Sequence, residues 1–365
     1  MKPSKYIETY DDKIHDYYDL MNIIQGKGDY EDIRNDYIFR GLSNIEHGLV
    51  PSSLRKNTKI NEYIGNDFKF QRIMSVDEAI EKGIIKEKEA FDNAKWIAPT
   101  FDKNGNIFKG KGYSIINSDD ELQFKRELYV LLKFLDFSDR NGLKVTADYK
   151  VREHIHNYFH FKSEFWPRME FIEIISLAQH YGVPTKVLDW TYDYKVALYF
   201  ALKDILDSTK ENADGVLWAF NYKLFENNPL DKDMYFNKLH FYRPEYDNNP
   251  NLRAQRGLFS FLIDDVHNQN KLSLEKIVKN ELESEKEYKG LKWADYKQPR
   301  ILPPRIEIDK PIFYKFIIPK NIKAKMLKEL YSEGYSEEFL FPGYDGVKLA
   351  MKNSVILENK LKEEH

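Results

Sequence analysis

The sequence predicts an α+β fold organised as one elaborated domain, and three observations carry that prediction. Strand-like segments rich in β-branched and aromatic residues recur at 37–41, 187–188, 215–220, 252–261 and 312–318. Amphipathic helical patterns lie among them, the clearest over 120–137, where Leu128, Leu131, Leu132 and Leu135 fall on one face and Ser118 or Asp119 is placed to cap it. No repeat of fixed period and no low-complexity linker divides the chain.

The stretch 177–202 organises the rest. A helical run ends at Tyr181 before Gly182 and Pro184, a pair that seldom sits inside a helix. Val187 and Leu188 then read as a short buried strand. Thr191 and Asp193 are placed to cap a second helix whose apolar face is Val196, Ala197, Tyr199, Phe200 and Leu202. Between these apolar walls stand Gln179, His180, Thr185, Asp189, Trp190 and Thr191. Buried polar groups are costly without partners, so the cluster is either a ligand site or a self-satisfied polar turn.

The remaining elements follow in chain order. Residues 1–30 read as a leading helical segment, with Ile14, Tyr17, Tyr18, Met21 and Ile24 on one stripe before Gly26 and Gly28. The strand at 37–41 ends in Arg40 and Gly41, which leaves backbone open to close approach by a ligand. The main domain is expected over 31–355, with insertions at about 56–120 and 270–298. The first insertion holds a charged helical piece over 76–94 and a hairpin signal at Asn104-Gly105. Its 109–112 turn lacks the terminal Lys-Ser/Thr pair of a P-loop. The second is a surface helix dominated by Lys and Glu. Asn248 to Asn251 forms a polar turn. A strand at 312–318, a helix over 322–331, the run Phe341-Pro342-Gly343-Tyr344-Asp345-Gly346 and a short terminal helix complete the chain.

Composition narrows the functional classes. The formal charge of −3 across 365 residues excludes a generally basic nucleic-acid coat while leaving a local basic face open. The absence of cysteine excludes disulfides, a thiol nucleophile and cysteine-ligated zinc. No segment has the uninterrupted apolar length of a membrane span, and the N-terminus has no leader pattern, so a cytoplasmic protein is expected. His156 and His160 stand one helical turn apart near His154, Glu153 and Glu164. Without a His-Glu-x-x-His frame they read as core histidines, and no metal is expected.

In order along the chain, Phe39-Arg40-Gly41, Leu49-Val50-Pro51-Ser52 with Arg55, the 179–201 motif, Arg253-Ala254-Gln255-Arg256-Gly257-Leu258-Phe259 and 341–346 resemble the FRG domain family over roughly 35–350. A weaker resemblance is to the ADP-ribosyltransferases, which place an Arg-Gly on one strand, a Ser-Thr-Ser followed by a helix on a second, and a glutamate on a third. It implies a split β-sheet core with helical insertions around an NAD cleft. On this resemblance Arg40 holds the pyrophosphate or a ribose hydroxyl, Gly41 pairs its backbone with the nicotinamide amide, Asp189 and Thr191 orient those groups, and Tyr199 stacks on the nicotinamide ring. Gln255 stands where the glutamate is usual, and a neutral amide can hold a hydroxyl but supplies no negative charge. Either another carboxylate, such as Asp189 or Asp345, then enters the cleft, or the reaction proceeds with less help, or the site only binds a nucleotide.

The expected function is NAD-dependent ADP-ribosyl transfer to a macromolecule, RNA or DNA among the candidates, by a toxin or phage-defence effector with an antitoxin as a candidate partner. Expected catalytic residues are Arg40, Asp189, Thr191 and Gln255, and expected NAD-binding residues are Arg40, Gly41, Gln179, His180 and Tyr199. Two alternatives stay open: a non-catalytic nucleotide or nucleic-acid binding module, and an NAD glycohydrolase.

Overall fold

The computed structural model describes residues 6–64, 73–75, 81, 95–97, 100–101, 107–109, 113–116, 119–145, 147, 149–154, 161, 163–210, 212–226, 239–247, 249–269, 271–287 and 310–363. Its contacts divide the chain into two compact units, one formed by 1–50, 188–260 and 272–365 and the other by 51–187 and 261–271. A single elaborated domain was the expectation; the α+β class holds.

The first unit is built on a seven-stranded mixed sheet. Its strands are β1 (Ile7–Tyr10), β2 (Ile38–Leu42), β3 (Val187–Thr191), β4 (Gly215–Phe220), β5 (Leu239–Tyr242), β6 (Gly257–Leu262) and β7 (Phe313–Ile318), in the order β1-β7-β4-β2-β3-β6-β5. The centre is buried on both faces: every residue of β4 is buried, which is why its apolar run is continuous rather than alternating. β4 is antiparallel to both β7 and β2, and β1 adds to β7 in parallel. β1 carries too short and too polar a sequence to be read as a strand in isolation, and its neighbour supplies the pairing.

Helices of this unit include α1 (Tyr17–Ile24), α2 (Tyr194–Leu202), α3 (Pro250–Ala254), α4 (Leu274–Glu287), α5 (Lys323–Ser332), α6 (Glu337–Leu340) and α7 (Tyr344–Glu363), with a single turn at Lys223–Glu226 after β4. Asp16 caps α1 by accepting from the Asp19 N–H at 2.8 Å. Tyr18 leaves the predicted apolar stripe: it is exposed, and its hydroxyl donates to Glu329 at 3.0 Å. α2 is buried over most of its length and packs with α1 and α5 against Phe39, Leu217, Ala219 and Phe316 of the sheet. The terminal helix is longer than expected, because Tyr344, Asp345 and Gly346 form its first turn directly after Gly343. Residues 252–256 also depart from the strand reading. Asn249 caps α3 through the Leu252 N–H, and β6 starts only at Gly257.

The second unit contains the helix Asp119–Arg140, with Leu128, Leu131, Leu132 and Leu135 buried as predicted, and the helix Ile172–His180. Thr100–Phe101 pairs antiparallel with Ile107–Lys109, the arms of the expected hairpin. The helical piece at 76–94 apart from residue 81, the 110–112 turn, Asn248, His156 and His160 lie outside the described residues.

Candidate functional site

The first unit brings Arg40, Gly41, Asp189, Thr191 and Gln255 to neighbouring strands and turns. β2 and β3 are registered at one pair, Phe39 with Thr191. Continuing that antiparallel register would set Gly41 opposite Asp189, and there the ladder is replaced by a side chain. Arg40 Nη1 donates to the main-chain oxygen of Asp189 at 2.6 Å and forms an ion pair with its Oδ1. The partners are unequally exposed: the Arg40 side chain is only 7% exposed, whereas the Asp189 side chain is 54% exposed. Arg40 Nε is buried without a hydrogen-bond partner among the described residues. A guanidinium has five N–H donors, so the site keeps donor capacity that the protein does not use.

Gly41 has a packing explanation. A Cβ at this position would stand 1.8 Å from the Ala197 main-chain oxygen and 2.7 Å from the Ala201 nitrogen, so the absence of a side chain lets α2 lie directly on β2. Thr191 holds local structure as well. Its hydroxyl donates to the Gln255 main-chain oxygen at 2.7 Å and accepts from the Asp193 N–H at 2.9 Å, just before Asp193 caps α2. Thr191 thus ties β3 to the α3–β6 turn rather than touching Arg40. That turn is sharp, with Arg256 at φ 47°.

Two expected roles are corrected here. Tyr199 is 2% exposed, with ring-edge contacts to Phe200 and Phe341, so no face is open for stacking on a ligand. Its hydroxyl donates to Glu337 Oε1 at 2.9 Å, and burial followed by the Glu337 charge pushes its phenol well above the ordinary range. The Gln255 side chain donates through Nε2 to the Leu340 main-chain oxygen at 3.1 Å, so it fastens the α3–β6 turn to α6.

Gln179 and His180 belong to the second unit. The Gln179 carbonyl oxygen accepts from Ser52 Oγ at 3.0 Å and from Thr185 Oγ1 at 2.8 Å, while Thr185 N–H donates to Ser52 Oγ at 3.0 Å. This is the self-satisfied alternative for that part of the polar cluster. His180 stands edge-on to Tyr181 with ring centroids 5.3 Å apart. A cavity of about 610 Å³ in the same unit is lined by Phe124, Lys125, Phe161, Arg168 and His267. Its cations are engaged within the protein: Lys125 Nζ donates to Phe161 O at 2.6 Å, and Arg168 pairs with Glu170 at 2.6 Å.

Two charged groups of the first unit escaped the sequence reading. Glu337 is fully buried and accepts from Tyr199, from Tyr331 at 2.7 Å and from Asn353 at 2.6 Å, which joins α2, α5 and α7. Lys203 follows α2 with its Nζ 4.5 Å from the Phe200 ring centroid, and burial pushes its ammonium down to about 8. Neither has a signature in sequence, since Lys and Glu are ordinarily surface residues and only the tertiary neighbours mark these two.

Among the described residues no group of three or more His, Cys, Asp and Glu side chains could hold a metal, and no helix is long and apolar enough to cross a membrane. His154 packs edge-on to Phe161 with ring centroids 4.5 Å apart.

A mixed sheet flanked by helices, with a buried arginine bridging two strands at the point where their pairing ends, defines an α+β protein with a candidate anion site. Comparison with protein families then bears on the middle of the chain, where the FRG domain family model matches residues 127–210. The motif from Gln179 to Ala201 lies within the match, while Phe39-Arg40-Gly41, Arg253 to Phe259 and Phe341 to Gly346 lie outside it. Neither a curated protein nor a solved structure matches the chain.

Proposed function

We propose that the protein is an NAD-dependent ADP-ribosyltransferase acting on a macromolecule, with the first unit as its catalytic body. The single observation that carries this reading is the Arg40–Asp189 bridge at the parting of β2 and β3. A buried guanidinium with an unused donor, beside a half-exposed carboxylate, is chemically suited to a diphosphate and a developing positive charge. The split-sheet arrangement of the ADP-ribosyltransferases, to which the sequence bears a weak resemblance, would use the same parting for its NAD cleft.

In the proposed reaction the bond between the nicotinamide nitrogen and ribose C1 breaks, and its electron pair leaves with nicotinamide. The acceptor's nucleophile forms the new bond at C1 and gives up its proton. Arg40 holds the diphosphate, and Asp189 fixes the guanidinium and offers its exposed carboxylate to the oxocarbenium-like centre. Asp189 replaces Gln255 in that electrostatic role, because the Gln255 amide is committed to Leu340.

That same commitment favours a second reading, a module that binds the dinucleotide without turnover. Incubation with adenine-labelled NAD separates the readings. Label on protein, RNA or DNA, with nicotinamide released in equal amount and both lost in Arg40→Ala, supports transfer. Free ADP-ribose identifies hydrolysis, and binding without release of nicotinamide identifies the module. Failure to bind NAD refutes all three.

A further inference from the structure

The terminal helix α7 buries one face and leaves a second apolar face in solvent. Inward it presents Gly346, Asn353 and Leu357, with Asn353 donating to Glu337 and Leu357 in the core. Tyr344, Val347, Met351 and Val355 follow one another at steps of three and four residues, which lines them up on the opposite face. Their exposures are 95%, 46%, 70% and 56%. Single exposed apolar residues are ordinary on a protein surface, but four in one row along a helix are not. Nor do they serve the helix itself, because valine and tyrosine are weaker helix formers than the alanine, lysine or glutamate that a solvated position usually carries.

The charges on this face indicate what covers it. Tyr344, Lys348, Met351, Val355, Glu358 and Lys362 fall at the alternating four- and three-residue steps of a coiled-coil seam. Against an antiparallel copy of the same helix this seam is self-complementary. Met351 meets Val355 of the copy, Lys348 meets Glu358, and Tyr344 meets Lys362, each pair occurring twice about the two-fold axis. The apolar layers then lie at the centre with an ion pair on either side. A parallel copy would instead set Lys348 against Lys348 and Glu358 against Glu358, which repel. Among the described residues neither Lys348 nor Glu358 has an ion-pair partner in its own chain, whereas Lys360 and Glu363 of the same helix are paired at 3.6 Å.

We propose that α7 is a self-association surface whose occupant is a second copy of this chain, packed antiparallel about a two-fold axis at the level of Asn353. The four apolar side chains of each copy bury on the order of 1,000 Å² in all, the lower end for a specific interface, so the dimer is reversible with a Kd of about 10 μM. This surface is independent of the dinucleotide reading.

Sedimentation velocity of the full chain from about 1 to 200 μM tests the assignment. A monomer–dimer equilibrium is expected in the wild type, with Kd raised at least about tenfold in Met351→Lys, which buries a charge at the centre of the seam. Lys348→Glu and Glu358→Lys each set like charges against each other in the antiparallel register and are expected to weaken the dimer about tenfold, while the double change restores it. All three positions are exposed, so the variants are expected to fold, and circular dichroism checks that they do. A wild type that stays monomeric across the range overturns the proposal, and so does a dimer that Met351→Lys leaves intact. Single charge reversals that leave the dimer unweakened, or a double change that fails to restore it, overturn the antiparallel register.

Discussion

Replacement of Gly41 by alanine separates packing from ligand approach as the reason for a glycine in the Phe39-Arg40-Gly41 run. The added Cβ would lie 1.8 Å from the Ala197 oxygen, 2.7 Å from the Ala201 nitrogen and 2.8 Å from the Ala197 carbonyl carbon. All three atoms are main chain of α2, so shortening a neighbouring side chain cannot relieve the overlap. Restoring ordinary contact requires α2 to withdraw from β2 by on the order of 1.5 Å, into an interior packed as densely as an organic crystal. Its buried residues Val196, Leu198, Tyr199 and Leu202 would all have to move with it. Overpacking by one methyl against adaptable side chains costs about 1–3 kcal/mol, and rigid backbone on the receiving side places this substitution at about 3–5 kcal/mol. Urea unfolding followed by tryptophan fluorescence measures it, since Trp190 and Trp218 are buried in strands on either side of β2. A loss below about 1 kcal/mol, with only ligand affinity reduced, would refute the packing argument and return Gly41 to a role in ligand approach.

Four further outcomes follow from the same structure. Glu337→Ala strands the buried donors of Tyr199, Tyr331 and Asn353 and is expected to cost at least about 3 kcal/mol, with Glu337→Gln costing about 1–2; urea midpoints of the two variants check the order. Lys323 is fully buried and paired with a buried Asp204, so Lys323→Ala should lose about 3–5 kcal/mol while the double change Lys323→Met with Asp204→Leu recovers most of it, as read from a double-mutant cycle. Gln255→Glu sets a carboxylate against the Leu340 oxygen in place of a donor and is expected to lower stability by about 1–2 kcal/mol without adding transfer activity, measured by thermal unfolding beside nicotinamide release. Lys203 carries a folded-state value of about 8, below its ordinary 10.5, so its charged form is penalised in the fold. The penalty is complete below pH 8 and relieved as pH rises toward 10.5. Lys203→Met should therefore exceed the wild type in stability at pH 7, by at most about 3 kcal/mol, with the difference shrinking through that window.

Much of the frame was legible because it rests on local rules. Gly182 adopts φ +81° beyond the Ile172–His180 helix, Asp193 caps α2, and the all-apolar Gly215–Phe220 run is the buried strand its composition indicates. The failures are those of tertiary context. Tyr199 and Phe200 adjoin in the same helical pattern, and only the packing of α2 against Phe341 and Glu337 decides that Tyr199 is buried. Gln255 was expected to stand in for a reactive glutamate on the weak resemblance to the ADP-ribosyltransferases, yet its amide secures α6, an element 85 residues away in the chain. No periodicity encodes such a contact. The division into two units was hidden for a related reason: residues 261–271 join 51–187 across a long sequence separation, without a linker composition to mark either crossing.

The Arg40–Asp189 pair is a poor device for stability. Its cation is buried with an orphaned Nε, while the carboxylate that compensates it stands mostly in solvent, where screening weakens the attraction. A hydrophobic side chain at position 40 would fill the same space between Ile38 and Leu42 without leaving a donor unsatisfied. The fold nevertheless holds this guanidinium on one of its central strands, beside the point where β2 and β3 cease to pair with each other. Local packing explains Gly41, Thr191, Tyr199 and Gln255, and it does not explain Arg40. An anion bound at Arg40 would account for it, which makes that side chain, rather than the motif residues around it, the place where function is to be sought.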